Sequence, residues 1–536
     1  MKRINRYIIT LFAIALFTNC KGFLDVNTDP DTPTSVPINQ ELPVLMFYAA
    51  QLNYDHTEYG VFLSQALTTG GRSQTGSLPY RSGWEFLSIN RNPQWRRHYY
   101  DIGENFNQMN TVAEKQGAYN YILIGRTIRL MSTLFTTDMF GDMPLTDAYK
   151  SIAPKYDTQE SIYQWMYDEV DELIKLYNDP SWVQASSNKP ITADQDRIFG
   201  GDLNKWKRFT YGLKARIYLR KLPNMDTSPQ ACQTIIDAVD SALVNWQEPD
   251  YNYPGGSGEK NCPWGPAQPV INSWESRANL LDQAIPTKYL CVNIMGVFNT
   301  KNPLLGWAAD PRLEKIMTPR PGPTGTNDTQ TKPRYVESNF GIDASYTVTQ
   351  NYPDLFSSTS APKVFTSNTS YISLMLTEEL LLMKAEAQYW KGNKDDAWRT
   401  TVEAATDNMT RHGVIQRLIT SYLANANYLP QSGFNIGHLM RQKYVCMYLQ
   451  PEMWTDMRRY KYSNDDNQIK YDGVTVYPGL RRPYNLYTPY WGDNQNWVQR
   501  INYDPETEEK YNRSELERLG AFRNPAWLWK PMIWAQ

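Results

Sequence analysis

Apolar residues recur at steps of three and four along much of the chain, and this spacing constrains the fold more than any other feature. Between Gln159 and Tyr177 the apolar side chains fall on one helical face, and Asp157 with Glu160 supplies a cap at the start. The sequence therefore predicts an all-α body. Similar stripes predict further helices at Tyr119–Phe135, Trp206–Leu222, Gln230–Trp246, Tyr371–Trp390, Asp395–Met409, Gly437–Leu449 and Pro451–Tyr460.

The segment around Gly392 indicates how two of these helices connect. Glycine permits the left-handed conformation that ends a helix, and Asn393 can cap the helix that follows. Small residues at Ala385 and Ala387 allow close packing of the two helices. A helical pair of this size is typical of tetratricopeptide repeats, in which each pair packs on the next. We predict tetratricopeptide-like helical pairs without a regular array.

Long irregular stretches interrupt the helices at 247–275 and 317–370, and Gly70–Trp84 has the same character. They are rich in Pro, Gly, Ser, Thr and Asn, and the first two far exceed the usual connection of about 4–6 residues. No composition shift divides the rest of the chain. We predict one helical domain over 44–536 with embedded ligand-binding lobes at about 247–370.

The extreme N-terminus resembles an export signal. Basic residues precede an apolar stretch at 7–17, which is too short to cross a hydrocarbon layer of about 30 Å as a helix. Small and polar residues then lead to Cys20. We predict a lipoprotein signal peptide over 1–19, a lipid on Cys20 and a tether over 20–43; a plain secreted protein with an incidental Cys20 is the alternative.

Charge and cysteine spacing exclude several classes of protein. The 54 basic and 56 acidic residues give a net charge of −2, so a nucleic-acid partner is not predicted. Cys232, Cys262, Cys291 and Cys446 contain no C-x-x-C pair, which argues against a zinc or redox site. Buried thiols and a single disulfide both stay open.

Catalytic motifs are missing from the sequence. None of the 4 histidines lies at metalloprotease spacing, and no nucleophile elbow or phosphate-binding loop occurs. A glycosidase stays open because it needs only two carboxylates, with Glu85 beside Trp84 as one candidate. Alternate oxygen ligands at 25–31 leave a calcium loop open, although Val36 replaces the final Glu. We predict no catalytic residue, metal or cofactor.

Aromatic residues in the irregular stretches favour a carbohydrate-binding surface. A sugar ring stacks on Trp or Tyr and needs polar partners for its hydroxyl groups. The alternative is that these rings fold inward and hold their own loops. Helical position instead predicts core roles for Trp95, Trp165, Trp206, Trp454, Trp527 and Trp529. The predicted ligand-binding residues are Tyr80, Arg81, Trp84, Asn261, Trp264, Asn272, Trp274, Tyr346 and Tyr352.

Several short strings together resemble the SusD/RagB family of outer-membrane nutrient-binding lipoproteins. The resemblance covers most of the chain in the family's order, although each string alone is weak. The strings are FLDVN at 23–27, DMFGDMPLTDA at 138–148, YDTQESIY at 156–163, AEA at 385–387, QKY at 442–444, DMRR at 456–459 and NPAWLW at 524–529.

The resemblance implies a lipid-anchored protein on the cell surface that touches the membrane only through its anchor. It implies that the protein caps a SusC-like TonB-dependent transporter barrel and delivers oligosaccharides to it, or peptides in some members. It implies no catalysis. The alternatives are peptide capture, a lipid-anchored glycosidase and an adhesive surface protein.

Overall fold

The computed structural model describes residues 36–69, 83–86, 92–267, 284–296, 310–318, 320–321, 333–334, 355–483, 486–492 and 494–536. Within these ranges the chain is mainly helical, as predicted, with three short antiparallel strand pairs. The helices are α1 Ile38–Leu63, α2 Pro93–Arg96, α3 Asn105–Gln116, α4 Tyr119–Phe140, α5 Gln159–Tyr177, α6 Pro180–Val183, α7 Leu203–Leu219, α8 Pro229–Leu243, α9 Leu313–Ile316, α10 Thr377–Trp390, α11 Lys394–Arg411, α12 Gln416–Leu423, α13 Ile436–Cys446, α14 Glu452–Arg459, α15 Thr488–Trp491 and α16 Arg513–Leu519.

Short elements complete the described fold. Strand β1 (Leu67–Thr69) pairs with β3 (Ala284–Pro286), β2 (Asp250–Asn252) with β6 (Tyr371–Ser373), and β4 (Arg320–Pro321) with β5 (Pro333–Arg334). Segments of π-helix or 3-10 helix lie at Arg97–Glu104, Gly258–Lys260, Tyr289–Ile294, Pro505–Glu509, Pro525–Trp529 and Ile533–Ala535.

Several helices pack on one another in sequence order. Helix α5 packs on α7, α7 on α8, α8 on α10, and α10 on α11. The predicted turn at Gly392 is confirmed: α10 ends at Trp390, α11 begins at Lys394, and Gly392 has a φ of +95°. This is the left-handed region that favours glycine. The two helices therefore fold back on each other as a tetratricopeptide-like pair.

Helix α5 has the predicted bounds, but a different residue caps it. The hydroxyl of Thr158 accepts a hydrogen bond from the Ser161 amide at 3.3 Å. Asp157 instead accepts from the amides of Leu145 and Thr146, at 2.8 and 2.9 Å. The carboxylate therefore fixes the loop before the helix rather than the helix itself.

Helix α1 begins at Ile38, inside the segment 20–43 predicted to be a tether. Every residue from Ala49 to Leu63 is buried, so polar side chains such as Asp55 lie inside and no amphipathic stripe marks the helix.

The predicted start of α10 was wrong. Residues Tyr371–Ser373 pair with β2, and the helix begins at Thr377, whose amide donates to Glu248 at 2.8 Å.

A buried network of ion pairs joins α4, α7, α10, α13 and α14. Arg220 pairs with Asp138 at 2.9 Å and with Glu452 at 2.8 Å, and these side chains are buried. Burial alone would raise the pKa of Glu452, but the guanidinium groups of Arg220 and Arg216 outweigh it and lower the pKa to about 2. These pairs connect three helices that are distant in sequence.

Glu386 is the centre of the other half of the network. It pairs with Arg459 and, at 3.1 Å, with Lys443, and it accepts a hydrogen bond from the Tyr460 hydroxyl at 2.7 Å. Lys443 also pairs with Asp456 at 3.0 Å. Burial opposes ionisation of Glu386, but Arg459 and Lys443 prevail and lower its pKa. The strings at 138–148, 385–387, 442–444 and 456–459, which resemble the family, thus supply charged residues to internal ion pairs.

The cysteines realise one of the two alternatives that the sequence left open. Cys232, Cys262, Cys291 and Cys446 are buried free thiols, so the disulfide alternative among them is not realised. Burial is the main cause that raises the pKa of Cys262 and of Cys446 to about 12.

Among the helices of the described ranges, none has the length and hydropathy that crossing a membrane requires.

Candidate functional site

The structure buries two aromatic residues that the sequence analysis placed on a binding surface. Trp84 is 1% exposed and packs against Trp491 and Trp497, with ring centroids 5.0 and 5.9 Å away. Trp264 is 2% exposed and packs on Tyr54 at 4.6 Å. The expected exposure of both rings was wrong, because each anchors its loop to the core.

Asn261 is also buried, and its side chain holds its own loop together. The amide nitrogen donates to the carbonyl oxygens of Ala267 at 2.7 Å and Gly256 at 3.3 Å. The expectation that Asn261 lies on an exposed binding surface was therefore wrong as well. The other predicted ligand-binding residues lie outside the described residues; they are Tyr80, Arg81, Asn272, Trp274, Tyr346 and Tyr352. Cys20 and residues 25–31, the calcium alternative, also lie outside the described residues.

A well-formed cavity lies elsewhere in the described residues and has a volume of about 630 Å³. It lies between the π-helix Arg97–Glu104, the loop 144–154 and the π-helix Pro505–Glu509. Its lining residues are Asn92, Pro93, Trp95, Arg96, Tyr99, Tyr100, Pro144, Ala148, Tyr149, Ser151, Pro154, Asp504, Glu506, Thr507 and Glu508. We call this the aromatic–acidic cavity.

Its aromatic wall rests on a rigid cluster of buried rings. Trp95 lies 4.8 Å from the Tyr99 ring, 5.0 Å from Phe140 and 5.3 Å from Tyr503, between centroids. Rings packed at such distances stabilise one another by about 0.5–1.5 kcal/mol per pair. The π-helical segment then carries Tyr100 outward, where it is 63% exposed. Wide π turns of this kind often occur at functional sites.

Tyr149 lines the cavity from the opposite loop and depends on a glycine. Its hydroxyl donates to the carbonyl oxygen of Tyr99 at 3.0 Å, and 42% of the residue is exposed. A Cβ at Gly103 would lie 1.7 Å from the Tyr149 hydroxyl oxygen and 2.8 Å from the His98 carbonyl oxygen. Only glycine at this position leaves room for the Tyr149 side chain where it now lies.

The loop that carries Tyr149 is held by the strings that resemble the family. The Tyr99 hydroxyl donates to the Pro144 carbonyl at 2.7 Å, Met143 and Asp157 exchange backbone hydrogen bonds, and Asp142 accepts from the Gln159 amide at 3.0 Å. The strings at 138–148 and 156–163 therefore position one wall of the cavity.

Carboxylates form the third wall. Asp504 accepts hydrogen bonds from the amides of Asn92 at 2.7 Å and Glu506 at 2.9 Å, which ties the two ends of the cavity together. Glu508 accepts from the Trp95 indole at 3.1 Å and from the Tyr156 hydroxyl. Burial is the main cause that raises the pKa of both Asp504 and Glu508.

A second cavity has a volume of about 480 Å³. Trp165, Trp182 and Tyr119 contribute aromatic surface, but two of its charges are already paired with each other. Arg126 and Glu169 form a bidentate pair at 2.8 Å. Because this pair is already satisfied, the aromatic–acidic cavity is the better candidate for ligand binding.

Sequence reasoning missed the cavity residues for identifiable reasons. Trp95 was correctly assigned to the core, where it is 3% exposed, but Tyr99 and Tyr100, four and five positions later, were not predicted as ligand contacts. Consecutive tyrosines after a core tryptophan were the available signal. Asp504 and Glu508 lie some 400 positions later in the chain, and no local pattern links them to Trp95.

Within the described ranges no cluster of His, Cys, Asp or Glu could hold a metal ion.

Comparison with known proteins identifies the family. Residues 46–476 match a SusD-like family model described as starch-binding and associating with the outer membrane. The chain belongs to this SusD-like family. A search of curated proteins finds no match to the chain.

Solved structures show the same fold at low sequence identity. A SusD/RagB family protein from Bacteroides thetaiotaomicron is 18% identical with a TM-score of 0.63, over 94% of this chain and 99% of that chain. A SusD homolog from Bacteroides ovatus is 16% identical with a TM-score of 0.67, over 93% and 99%. A chitin-binding SusD homolog from Flavobacterium johnsoniae is 15% identical with a TM-score of 0.62, over 93% and 98%.

Family membership settles several expectations. The chain is an outer-membrane protein of a glycan-binding family, and its members are non-catalytic binding proteins. The prediction that it is not an enzyme is therefore confirmed, and the glycosidase alternative is set aside. The all-α, tetratricopeptide-like fold is likewise confirmed.

Proposed function

We propose that this chain captures an oligosaccharide at the cell surface and delivers it to a SusC-like TonB-dependent transporter barrel. The observation that carries the proposal is the aromatic–acidic cavity, in a chain of a family named for starch binding. Rings such as Tyr100 offer a stacking face, and Asp504, Glu506 and Glu508 offer hydrogen-bond acceptors for hydroxyl groups.

The volume of the cavity supports an oligosaccharide as the ligand. Small-molecule sites commonly enclose about 300–1,000 Å³, and 630 Å³ lies within that range. The rigid cluster beneath Tyr99 also favours binding, because less freedom is lost when the site is preorganised. We propose Tyr80, Arg81, Asn272, Trp274, Tyr346 and Tyr352 as further ligand contacts, whereas Trp84, Asn261 and Trp264 act in the core.

The remaining parts of the proposal concern the membrane. A lipid on Cys20 would tether the chain through residues 20–43, and the helical body would contact the transporter. Support comes from the resemblance of the N-terminal strings and from the family's outer-membrane association. Co-purification of a lipidated chain with a large barrel protein would support both, and recovery of the lipidated chain without one would contradict the transporter partnership.

Titration calorimetry with a panel of oligosaccharides tests the capture step. We expect at least one glycan to bind and Tyr100→Ala to weaken that binding by about threefold to tenfold, because one stacked ring is lost. Tyr100→Phe keeps the ring and should retain the affinity. Tyr100 is exposed, so neither variant should alter the melting temperature appreciably.

The same calorimetry separates the peptide alternative. A defined digest of a soluble protein, tested beside the glycans, should give no heat of binding. Saturable binding of the digest with no response to any glycan would replace the glycan proposal by peptide capture. Glycan binding that Tyr100→Ala leaves unchanged would remove the cavity from the proposal.

A further inference from the structure

The charges of the aromatic–acidic cavity narrow the class of ligand. Its lining includes three carboxylates, Asp504, Glu506 and Glu508, and a single cationic side chain, Arg96. Across the described residues, none of the three carboxylates has a basic side chain within ion-pair distance. A cavity with this charge attracts a cation more than a neutral or anionic group.

Arg96 does not neutralise this wall. Its guanidinium lies 3.7 Å from Asp101 and 5.2 Å above the Tyr100 ring centre, and its side chain is 57% exposed. It therefore interacts with an acid outside the lining set and with the rim of the cavity. Asp504 and Glu508 accept hydrogen bonds from backbone amides and from the Trp95 and Tyr156 side chains, but no basic side chain of the described residues pairs with either.

Two buried groups point to a ligand that donates hydrogen bonds. Asn92 is 1% exposed, and its side-chain oxygen has no hydrogen-bond partner among the described residues. Asp504 is 5% exposed, and its oxygens accept only from backbone amides. An unpartnered buried oxygen costs about 1–3 kcal/mol, which a bound N–H or O–H donor would recover once the Asn92 side chain turned toward the cavity.

The aromatic walls suit the same kind of group. Tyr99, Tyr100 and Tyr149 line the cavity together with the carboxylates. A ring face attracts an ammonium group by about 0.5–1 kcal/mol at exposed sites. A ring face and a carboxylate in one cavity therefore favour a ligand that combines an apolar C–H face with a positive charge.

We propose that the aromatic–acidic cavity binds oligosaccharides that carry free amino groups. This inference rests on the proposed function and names its substrate class. Sugar rings stack on Tyr100 and Tyr149, and protonated amines pair with Asp504, Glu506 and Glu508. A lone lysine side chain would satisfy the charge but would leave much of a 630 Å³ cavity unfilled.

Calorimetry with two matched hexasaccharides tests the inference on the full mature chain. The probes are a β-1,4-linked glucosamine hexasaccharide and its fully N-acetylated counterpart, at mildly acidic pH and low ionic strength. We expect the free-amine form to bind about tenfold more tightly, because charge-assisted hydrogen bonds replace neutral ones. Added salt should reduce this preference.

Two variants place the preference in the cavity. Glu506→Gln and Glu508→Gln should each reduce the ratio of the two affinities by about threefold or more, because each removes one partner of the amine. Glu506 is exposed, so its variant should fold even if Glu508→Gln does not. Glu517→Gln, which also removes one exposed negative charge but lies outside the lining, should leave the ratio unchanged.

Equal affinities for the two hexasaccharides, or a preference that survives both cavity variants, would overturn the inference. So would a lysine-containing pentapeptide that binds as tightly as the free-amine hexasaccharide. If neutral glycans bind without any preference for amines, only this inference fails. If no glycan of either kind binds, the proposed function fails with it.

Discussion

Replacing Glu386 by glutamine is expected to lower the free energy of unfolding by about 3–5 kcal/mol, the cost of leaving a buried charge without its partner. The variant keeps the shape of the side chain but removes the anion that pairs with Arg459 and Lys443. All three side chains are fully buried, so water cannot replace the lost partner. The loss is measured by chemical denaturation of the mature chain followed by circular dichroism.

An exposed ion pair supplies the control. Glu517 pairs with Arg513 at 2.7 Å, with both side chains more than half exposed. Exposed pairs contribute about 0–1 kcal/mol, so Glu517→Gln should change the midpoint little. A loss below about 1 kcal/mol for Glu386→Gln would contradict the view that the network stabilises the scaffold as paired charges.

Trp84→Ala and Trp264→Ala are each expected to cost about 3–5 kcal/mol of stability, the range for removing a large buried ring. The rings pack against Trp491 and Tyr54 respectively, and both are almost completely buried. Removing either leaves a cavity that rigid neighbours cannot fill. Thermal unfolding of both variants measures the effect.

Tyr100→Ala is the matched aromatic control for these substitutions. Its side chain is exposed, so its removal should alter stability by no more than about 0.5 kcal/mol while weakening glycan binding. The opposite outcome, in which the tryptophan variants lose glycan binding and keep their stability, would contradict their assignment to the core. Stable Trp84 and Trp264 variants with impaired glycan binding would restore these residues to the ligand-binding surface.

The sequence sufficed for elements whose pattern is local. The stripe over Gln159–Tyr177 gave the bounds of α5, and Gly392 marked the turn between α10 and α11. Helix α1 was not predicted from the sequence, because its second half is buried on every side and so shows no contrast between an apolar and a polar face. Local periodicity reports amphipathicity, and a fully buried helix has none.

Ligand contacts were harder to predict because side-chain direction depends on the tertiary fold. Trp84 and Trp264 have the neighbours of a binding loop, yet the fold turns both rings inward. Tyr100 follows the core residue Trp95 by five positions, yet the π-helix carries it outward. The acidic wall comes from the last part of the chain and meets Trp95 only through long-range packing. Composition indicated a glycan surface but could not locate it.

The structure of the chain with a bound oligosaccharide tests the central claim most directly. We predict sugar rings in the aromatic–acidic cavity, with one ring against Tyr100 or Tyr149 and hydroxyl or amino groups within hydrogen-bond distance of Glu506 or Glu508. An oligosaccharide bound elsewhere, with this cavity empty at saturating ligand, would contradict it.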